Sequence, residues 1–223
     1  MSDNSLQNIG SNLPSVIEID PNKEYILCGD ISGSMSTPDH NCGGQRRFDY
    51  MLEKFQLFVK TAEDFDAHGA PTVLLFGEKV HVYKDTKAET IEKILPKIDF
   101  EGFTYIHLCL EKAYELHLDE KREAAKQKKF HPGTVVFIFT DGAPSNRPAV
   151  ERTIVDIANR IEREDEFQIS FLTVGTINAD LASYLKNLHD GLEDKIKTGY
   201  DIIHIDRLEN VTFMGAVKGK NHN

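Results

Sequence analysis

Apolar residues fall into two kinds of segment along the chain, short continuous runs and longer stretches with helical spacing. The run Thr134–Thr140 (TVVFIFT) consists entirely of β-branched and aromatic residues and carries no charge. This composition is typical of a central strand buried on both faces. Five other runs are predicted to be strands, at 25–29, 72–76, 79–83, 168–174 and 201–205. Because Gly77 and Glu78 join two of them closely, we expect a hairpin with one antiparallel strand at the sheet edge.

Between these strands, apolar residues recur at spacings of three and four, which predicts amphipathic helices. The clearest begins near Phe48 and continues to Phe65. Further helices are predicted around 91–98, 106–128, 150–161 and 181–188, with a short last helix at 211–217. This alternation predicts an α/β fold, a doubly wound (Rossmann-like) sheet of six strands, mostly parallel with one antiparallel edge strand, with helices on both faces.

The polar segments at the two ends of the chain frame a single predicted domain. Residues 1–22 contain few apolar positions and are expected to form a flexible N-terminal arm, and residues 219–223 a frayed tail. The domain itself is predicted over 23–218. The first fifteen residues have neither a basic start nor an apolar run, so we expect no secretory signal and a cytoplasmic protein.

The overall negative charge argues against two classes of binding partner. Lys and Arg total 26 against 36 Asp and Glu, a formal net charge of -10. Nucleic acids and anionic membranes bind through Lys and Arg, so neither is an expected partner. No run of apolar residues approaches the roughly 20 that a membrane span needs.

The three cysteines indicate neither a disulfide framework nor a zinc site, because they are odd in number and contain no CxxC pair. Cys28 and Cys109 fall in apolar patterns and are expected to be buried. Cys42, in the polar segment HNCGG, is expected to be exposed.

Three short segments rich in side-chain oxygens stand where strands and loops meet. They are DISGS at 30–34 after the first strand, GFT at 102–104 before the long helix, and TDG at 140–142 after the central strand. In a doubly wound sheet, ligands bind beyond the carboxyl ends of the strands, where the strand order reverses. If the first and fourth strands flank that point, Asp30 and Asp141 emerge side by side, and Thr104 approaches from the intervening loop.

The alternation within the first segment indicates a cation site. On an extended chain, residues at i, i+2 and i+4 point the same way, so Asp30, Ser32 and Ser34 could turn towards one centre. Carboxylate and hydroxyl oxygens suit a hard cation, and short ligands with room for water favour Mg²⁺, with Mn²⁺ or Ca²⁺ possible.

The combination of DISGS, GFT and TDG, in this order and context, resembles the metal-ion-dependent adhesion site of von Willebrand factor A (vWA) domains. The resemblance covers the chain from about residue 23 onward. It implies that Ser32 and Ser34 bind the cation through their hydroxyls and that Thr104 is a direct ligand in one state of the site. It also implies that Asp30 and Asp141 contact the metal or its bound water.

Two departures from the family pattern border the implied partner face. Phe103 stands where a glycine is usual, and the stretch 39–44 (DHNCGG) is longer than typical. Met35, Phe103 and Tyr105 are candidates for an apolar rim beside the metal, and simple packing over the strand ends is an equally good interpretation.

The expected function is a non-catalytic, cation-dependent protein-binding module within a larger intracellular or viral assembly. Mainly neutral ligands would leave the cation positive enough to capture an Asp or Glu of a partner protein. One alternative is a structural site that only rigidifies the loops. A metal-assisted hydrolase is the other, and it is disfavoured because the three segments contain no His or Glu to act as a general base.

Overall fold

The computed structural model describes residues 15–64, 70–93, 97–192 and 195–215. Residues 1–14 of the predicted arm and the predicted tail at 219–223 lie outside the described residues. The strands of the described part are β1 Ser15–Ile19, β2 Glu24–Asp30, β3 Thr72–Phe76, β4 Val80–Tyr83, β5 Thr134–Thr140, β6 Phe167–Thr173, β7 Ile203–Arg207 and β8 Val211–Gly215. The helices are α1 Arg47–Asp64, α2 Ala88–Lys93, α3 Ile106–Lys126, α4 Arg147–Ala158 and α5 Ala179–Leu192.

Six of the strands form one mixed sheet in the order β4-β3-β2-β5-β6-β7. Every neighbouring pair is parallel except β3 and β4, whose hairpin makes β4 the antiparallel edge strand. The apolar run of β5 lies at the middle, paired with β2 on one side and β6 on the other. The predicted doubly wound α/β sheet is therefore confirmed.

Helices cover both faces of this sheet and divide its core in two. One apolar cluster joins the sheet to α3, α4 and α5, and the other joins it to α1 and Ile91 of α2. Aromatic rings tie the second cluster together, with Phe55 of α1 packed edge-on against Phe139 of β5 at 4.7 Å between ring centroids. Because both faces of β2 and β5 are covered, these strands hold their carboxyl ends in fixed positions.

β1 and β8 form a second, two-stranded parallel sheet that was not predicted from the sequence. Residues 15–19, expected within the flexible arm, form β1, and the helix expected at 211–217 is wrong because residues 211–215 form β8. Val211 and Phe213 are buried whereas Met214 is half-exposed, an alternation with the period of a strand. Phe213 packs edge-on against Phe58 of α1 at 5.2 Å, and this apolar contact favours the extended form.

Cys42 is also placed differently from the expectation, because its side chain is buried in the cluster beneath α1. Asp39, three residues earlier, accepts a hydrogen bond from the backbone amide of Asn41 and caps the short 3-10 turn that contains Cys42. Burial raises the pKa of the Cys42 thiol to about 12, with the charge of Glu209 adding to the effect. Cys28 and Cys109 are buried as predicted.

The strand order reverses between β2 and β5. From β2 the chain continues to β3 on one side, and from β5 it continues to β6 on the other. Asp30 is the last residue of β2, and Asp141 directly follows β5. The fold therefore brings two carboxylates to the crevice at which α/β sheets bind ligands.

Candidate functional site

Asp30 is a buried carboxylate at the end of β2 whose hydrogen-bond donors are neutral. One oxygen, Oδ1, accepts a 2.7 Å bond from the backbone amide of Ser32, and Oδ2 accepts a 2.6 Å bond from the Thr140 hydroxyl. The side chain is fully buried. Burial raises the pKa of Asp30 to about 7, and the nearby charge of Asp141 adds to this rise.

The two serines of the first segment and Asp141 form a chain of close oxygen atoms. Ser32 Oγ lies 3.1 Å from Ser34 Oγ, which donates a 2.8 Å hydrogen bond to Asp141 Oδ1. Ser32 and Asp141 are buried, whereas Ser34 is exposed at the surface of the crevice. The sequence-predicted residues of the first and third segments are therefore in direct contact, although they lie 107 positions apart.

Backbone hydrogen bonds hold the Thr104 loop against both of these segments. The amide of Glu101 donates to the carbonyl of Ile31 at 2.8 Å. At the other end of the loop, the amide of Thr104 donates to Ser145 Oγ, and the amide of Ser145 donates to the carbonyl of Thr104, each at 3.0 Å. Thr104 is buried, and its loop lies between the loops that carry Ser32 and Asp141.

Glu101 anchors this loop to the β3–β4 hairpin, a role that sequence reasoning missed. Its carboxylate accepts hydrogen bonds from the backbone amides of Glu78 and Lys79 and lies 3.0 Å from His81 Nε2. A Cβ atom at Gly77 would stand 2.7 Å from Glu101 Cβ, so a larger residue there would displace the Glu101 side chain. The Gly77-Glu78 turn was visible in the sequence, but its carboxylate partner was not.

Arg47, the first residue of α1, is the main site residue that sequence reasoning missed. Its Nη1 donates to Asp141 Oδ2 at 2.6 Å, and its Nε and Nη2 donate to Asp39 Oδ2 at 3.0 and 2.8 Å. A cation at a helix N-terminus opposes the helix dipole, so two arginines at the predicted start of α1 were a signal of nearby carboxylates.

Asp39 is itself held by several donors from another loop. The backbone amide and hydroxyl of Thr176 both donate to its carboxylate, at 2.9 and 3.0 Å. Burial alone would raise the pKa of Asp39, but these bonds and the Arg47 guanidinium lower it to about 2. The long loop that departs from the family pattern is therefore fixed to the site through Asp39 and Arg47.

The proposed apolar rim divides into one buried and two accessible residues. Met35 is fully buried, so the rim prediction is wrong for its side chain, which packs into the core beside α1. Phe103 is 49% exposed, and its ring stacks parallel to that of Tyr105 at 5.3 Å between centroids. This pair presents an aromatic surface on the loop that ends at Thr104.

The oxygen atoms have the chemistry and spacing that a small hard cation needs. Neighbouring ligands of an octahedral Mg²⁺ at about 2.1 Å lie about 3.0 Å apart, and the Ser32–Ser34 and Ser34–Asp141 oxygens are 3.1 and 2.8 Å apart. Among the described residues, no group of three or more His, Cys, Asp or Glu side chains could hold a metal ion. A cation here would therefore rely on hydroxyl oxygens together with carboxylates.

Comparison with known protein families identifies the family to which this domain belongs. The family model described as the von Willebrand factor type A domain matches residues 25–143, which include all three oxygen-rich segments. The chain belongs to this family. The match also covers most of the strand order around the crevice, from β2 to β5.

Several solved structures are similar to this vWA domain at low sequence identity. The manganese-loaded TRAP protein of Plasmodium vivax is 12% identical, with a TM-score of 0.55, and the match covers 78% of this chain and 65% of that one. Proximal thread matrix protein 1 from the mussel byssus is 14% identical (84% and 44% covered, TM-score 0.48). The pilus adhesin SpaC from Lactobacillus rhamnosus GG is 15% identical (85% and 32% covered, TM-score 0.46). The chain thus spans less than two thirds of each of these proteins, and the similarity shows the fold alone.

A search of curated protein sequences finds no significant match. Within the described part of the chain, no helix is both long and apolar enough to cross a membrane. Membership of the vWA family supports a module for protein interaction or adhesion.

Proposed function

We propose that this vWA domain is a divalent-cation-dependent protein-binding module that captures an acidic residue of a partner protein. The observation that carries the proposal is the chain of contacts that joins Ser32, Ser34 and Asp141, with Asp30 buried directly behind it. In this proposal the module is non-catalytic and works in the cytoplasm as part of a larger assembly.

The site residues would provide two kinds of oxygen to the cation, neutral hydroxyls and negatively charged carboxylates. Ser32 and Ser34 would contribute neutral oxygens, and Asp30 and Asp141 would supply the negative charge behind them. When bound, a divalent cation supplies a coordination position for an incoming carboxylate. Because neutral ligands leave much of the cation's charge uncompensated, a partner's Asp or Glu would make a strong ionic contact there.

The buried position of Asp30 gives an independent reason to expect a cation. Its carboxylate accepts from an amide and a hydroxyl, and burial without a counter-charge raises its pKa to about 7. A cation next to this carboxylate would favour its ionised form. We therefore propose Mg²⁺ as the natural ligand, and the manganese-loaded TRAP structure makes Mn²⁺ a reasonable experimental probe.

The decisive test is a peptide-display selection carried out in Mg²⁺ and eluted with EDTA. We expect the eluted peptides to be enriched in Asp and Glu and to lose binding to the Ser34→Ala variant. Ser36→Ala is the matched control, because Ser36 lies in the same turn but donates to the carbonyl of Gly33 instead of facing the site. Its binding should equal that of the wild type.

Two results would contradict the proposal in different ways. If Mg²⁺ raises the melting temperature of the domain but no EDTA-sensitive peptide is selected, the site only rigidifies the loops. If the selected peptides lack acidic residues, or bind the Ser34→Ala variant equally well, partners are not captured through the cation.

A further inference from the structure

Arg47 places a permanent positive charge against the candidate cation site. Its guanidinium bridges Asp141 and Asp39, and its side chain is only 16% exposed. Asp141 is shared, because Oδ2 accepts from Arg47 Nη1 while Oδ1 accepts from the Ser34 hydroxyl. One carboxylate group therefore separates the guanidinium from the serine oxygens.

The packing around Arg47 holds the guanidinium in this position. Asp39, its second partner, is buried and accepts three further hydrogen bonds, from Asn41 and Thr176. The backbone also closes over the guanidinium, because a Cβ atom at Gly175 would lie 2.9 Å from Arg47 Nε. Gly175 has a φ of +70°, a conformation that glycine adopts readily.

From this geometry we propose that Arg47 is an internal cation that sets the affinity of the site for divalent metal. The proposal rests on the proposed function, since it concerns regulation of the same site. By neutralising one side of Asp141, Arg47 lowers the negative charge available to an incoming cation and repels that cation directly. The site consequently binds metal weakly, and a bound cation keeps more of its charge for a partner's carboxylate.

The test measures the dissociation constant of Mn²⁺ by electron paramagnetic resonance for the wild type and for Arg47→Gln. We expect at least a tenfold tighter constant in the variant, because one unit charge at about 6 Å from a divalent ion is worth roughly tenfold even in water. Arg47→Lys keeps the charge and should stay within about threefold of the wild type. A purely structural role would not separate these two variants.

Arg46 is the matched control, since it precedes Arg47 and is also paired with an aspartate. Its guanidinium makes two 2.7 Å bonds to Asp49 on the surface of α1, away from Asp141. The Arg46→Gln variant should bind Mn²⁺ as the wild type does. If Arg47→Gln does not fold, Arg47→Met removes the charge while keeping an apolar stem, and the same tightening is expected.

The outcomes separate this inference from the proposed function. If the wild type binds Mn²⁺ and both charge-removing variants bind it equally or more weakly, Arg47 does not set the affinity, and the proposed function stands. If Arg46→Gln tightens binding as much as Arg47→Gln, the effect is one of net charge and the inference is wrong. If neither the wild type nor any variant binds Mn²⁺, the proposed function fails together with the inference.

Discussion

The two ends of the central sheet both bury ionisable side chains, but they treat the charge differently. A polar cluster lies at the base of the sheet, at the amino ends of β5 and β6. This base cluster consists of His117, Lys121, His131, Thr134 and Glu166. Glu166 accepts hydrogen bonds from Lys121 Nζ at 2.8 Å and from the amide of Glu162 at 2.9 Å, and His117 Nε2 lies 3.3 Å away. Although burial would raise the pKa of Glu166, these partners lower it.

At the carboxyl ends, the carboxylates of Asp30, Asp39 and Asp141 differ in their partners. Asp39 and Asp141 share Arg47, and Asp30 accepts bonds from an amide and a hydroxyl behind them. Burial therefore raises the pKa of Asp30, whereas the pKa of Glu166 is lowered at the other end. The comparison shows that burial alone does not set the pKa of a carboxylate, because Glu166 has the ammonium of Lys121 as a counter-charge whereas Asp30 accepts from neutral donors.

The largest effect on stability should come from removing the Glu166 carboxylate. In Glu166→Ala, Lys121 and the buried His117 lose their carboxylate partner, and we expect the free energy of unfolding to fall by about 3 kcal/mol. Urea denaturation at pH 7 measures this loss. The control is Glu162→Ala, because that carboxylate also contacts Lys121 but is 80% exposed and should change stability by less than about 1 kcal/mol. Equal losses in the two variants would show that the buried Glu166 contributes no more to stability than the exposed Glu162.

Neutralising Asp30 should change the free energy of unfolding in the opposite direction. The folded pKa of Asp30 is about 7, against an ordinary value near 4. Without metal, the native state therefore binds this proton more tightly than the unfolded state, and stability falls as pH rises from about 4 to about 7. Asp30→Asn abolishes that loss.

We expect Asp30→Asn to be more stable than the metal-free wild type by about 2 kcal/mol at pH 8, and by much less at pH 5. The amide can donate to Thr140 Oγ1, which still has the Gly142 carbonyl as an acceptor. Urea denaturation in EDTA at the two pH values measures the difference. A variant that is less stable than the wild type at pH 8 would show that the Asp30 charge is already compensated inside the protein.

The base cluster should show the reverse pH dependence. Burial, with the nearby charge of His117 adding to it, lowers the pKa of His131 to about 4. The unfolded state then binds the proton more tightly, so this residue's contribution to stability is complete above about pH 6.5 and is lost as pH falls towards 4.

His131→Asn removes this dependence while keeping an acceptor for the amide of Gly133, which donates to His131 Nδ1. Between pH 6.5 and pH 4.5, we expect the wild type to lose about 1 kcal/mol more stability than the variant. Urea denaturation across this range is the measurement. Parallel curves for the two proteins would mean that the pKa of His131 is the same in the native and the unfolded state.

The smallest effect on stability should come from the exposed aromatic pair. Phe103 is half-exposed and stacks on Tyr105, so Phe103→Ala should lower the free energy of unfolding by only about 0.5 kcal/mol. Mn²⁺ affinity should not change, because the ring makes no part of the oxygen cluster. A change in Mn²⁺ affinity above threefold would show that the ring organises the Thr104 loop.

Short-range patterns made much of the fold and candidate site predictable. The run TVVFIFT has the composition of a doubly covered strand, and it forms the middle of the sheet. Asp30, Ser32 and Ser34 lie within five residues of one another, so their proximity follows from the local chain. The chain is not extended there, contrary to the expectation from the sequence, because Ser34 lies in a short 3-10 turn, Gly33–Ser36. Asp141 could be added because the carboxyl ends of neighbouring parallel strands meet at one edge.

The residues that were missed depend on contacts between distant segments. Arg47 acquires its role only when the start of α1 comes against Asp39 and Asp141. The five residues of β8, VTFMG, are too few to separate a strand from a helix, and pairing with β1 together with the Phe213–Phe58 contact decides between them. Cys42 is buried because Asp39 folds a polar loop under α1.

We propose that Ser32, Ser34, Asp30 and Asp141 surround one divalent cation. Anomalous X-ray diffraction from a crystal soaked in Mn²⁺ tests it most directly. We expect a single strong peak in the crevice between β2 and β5, about 2.2 Å from Ser32 Oγ and Ser34 Oγ, slightly longer than the Mg–O distance. A soaked crystal with no peak there, or with its strongest peak bound away from both serines, would contradict it.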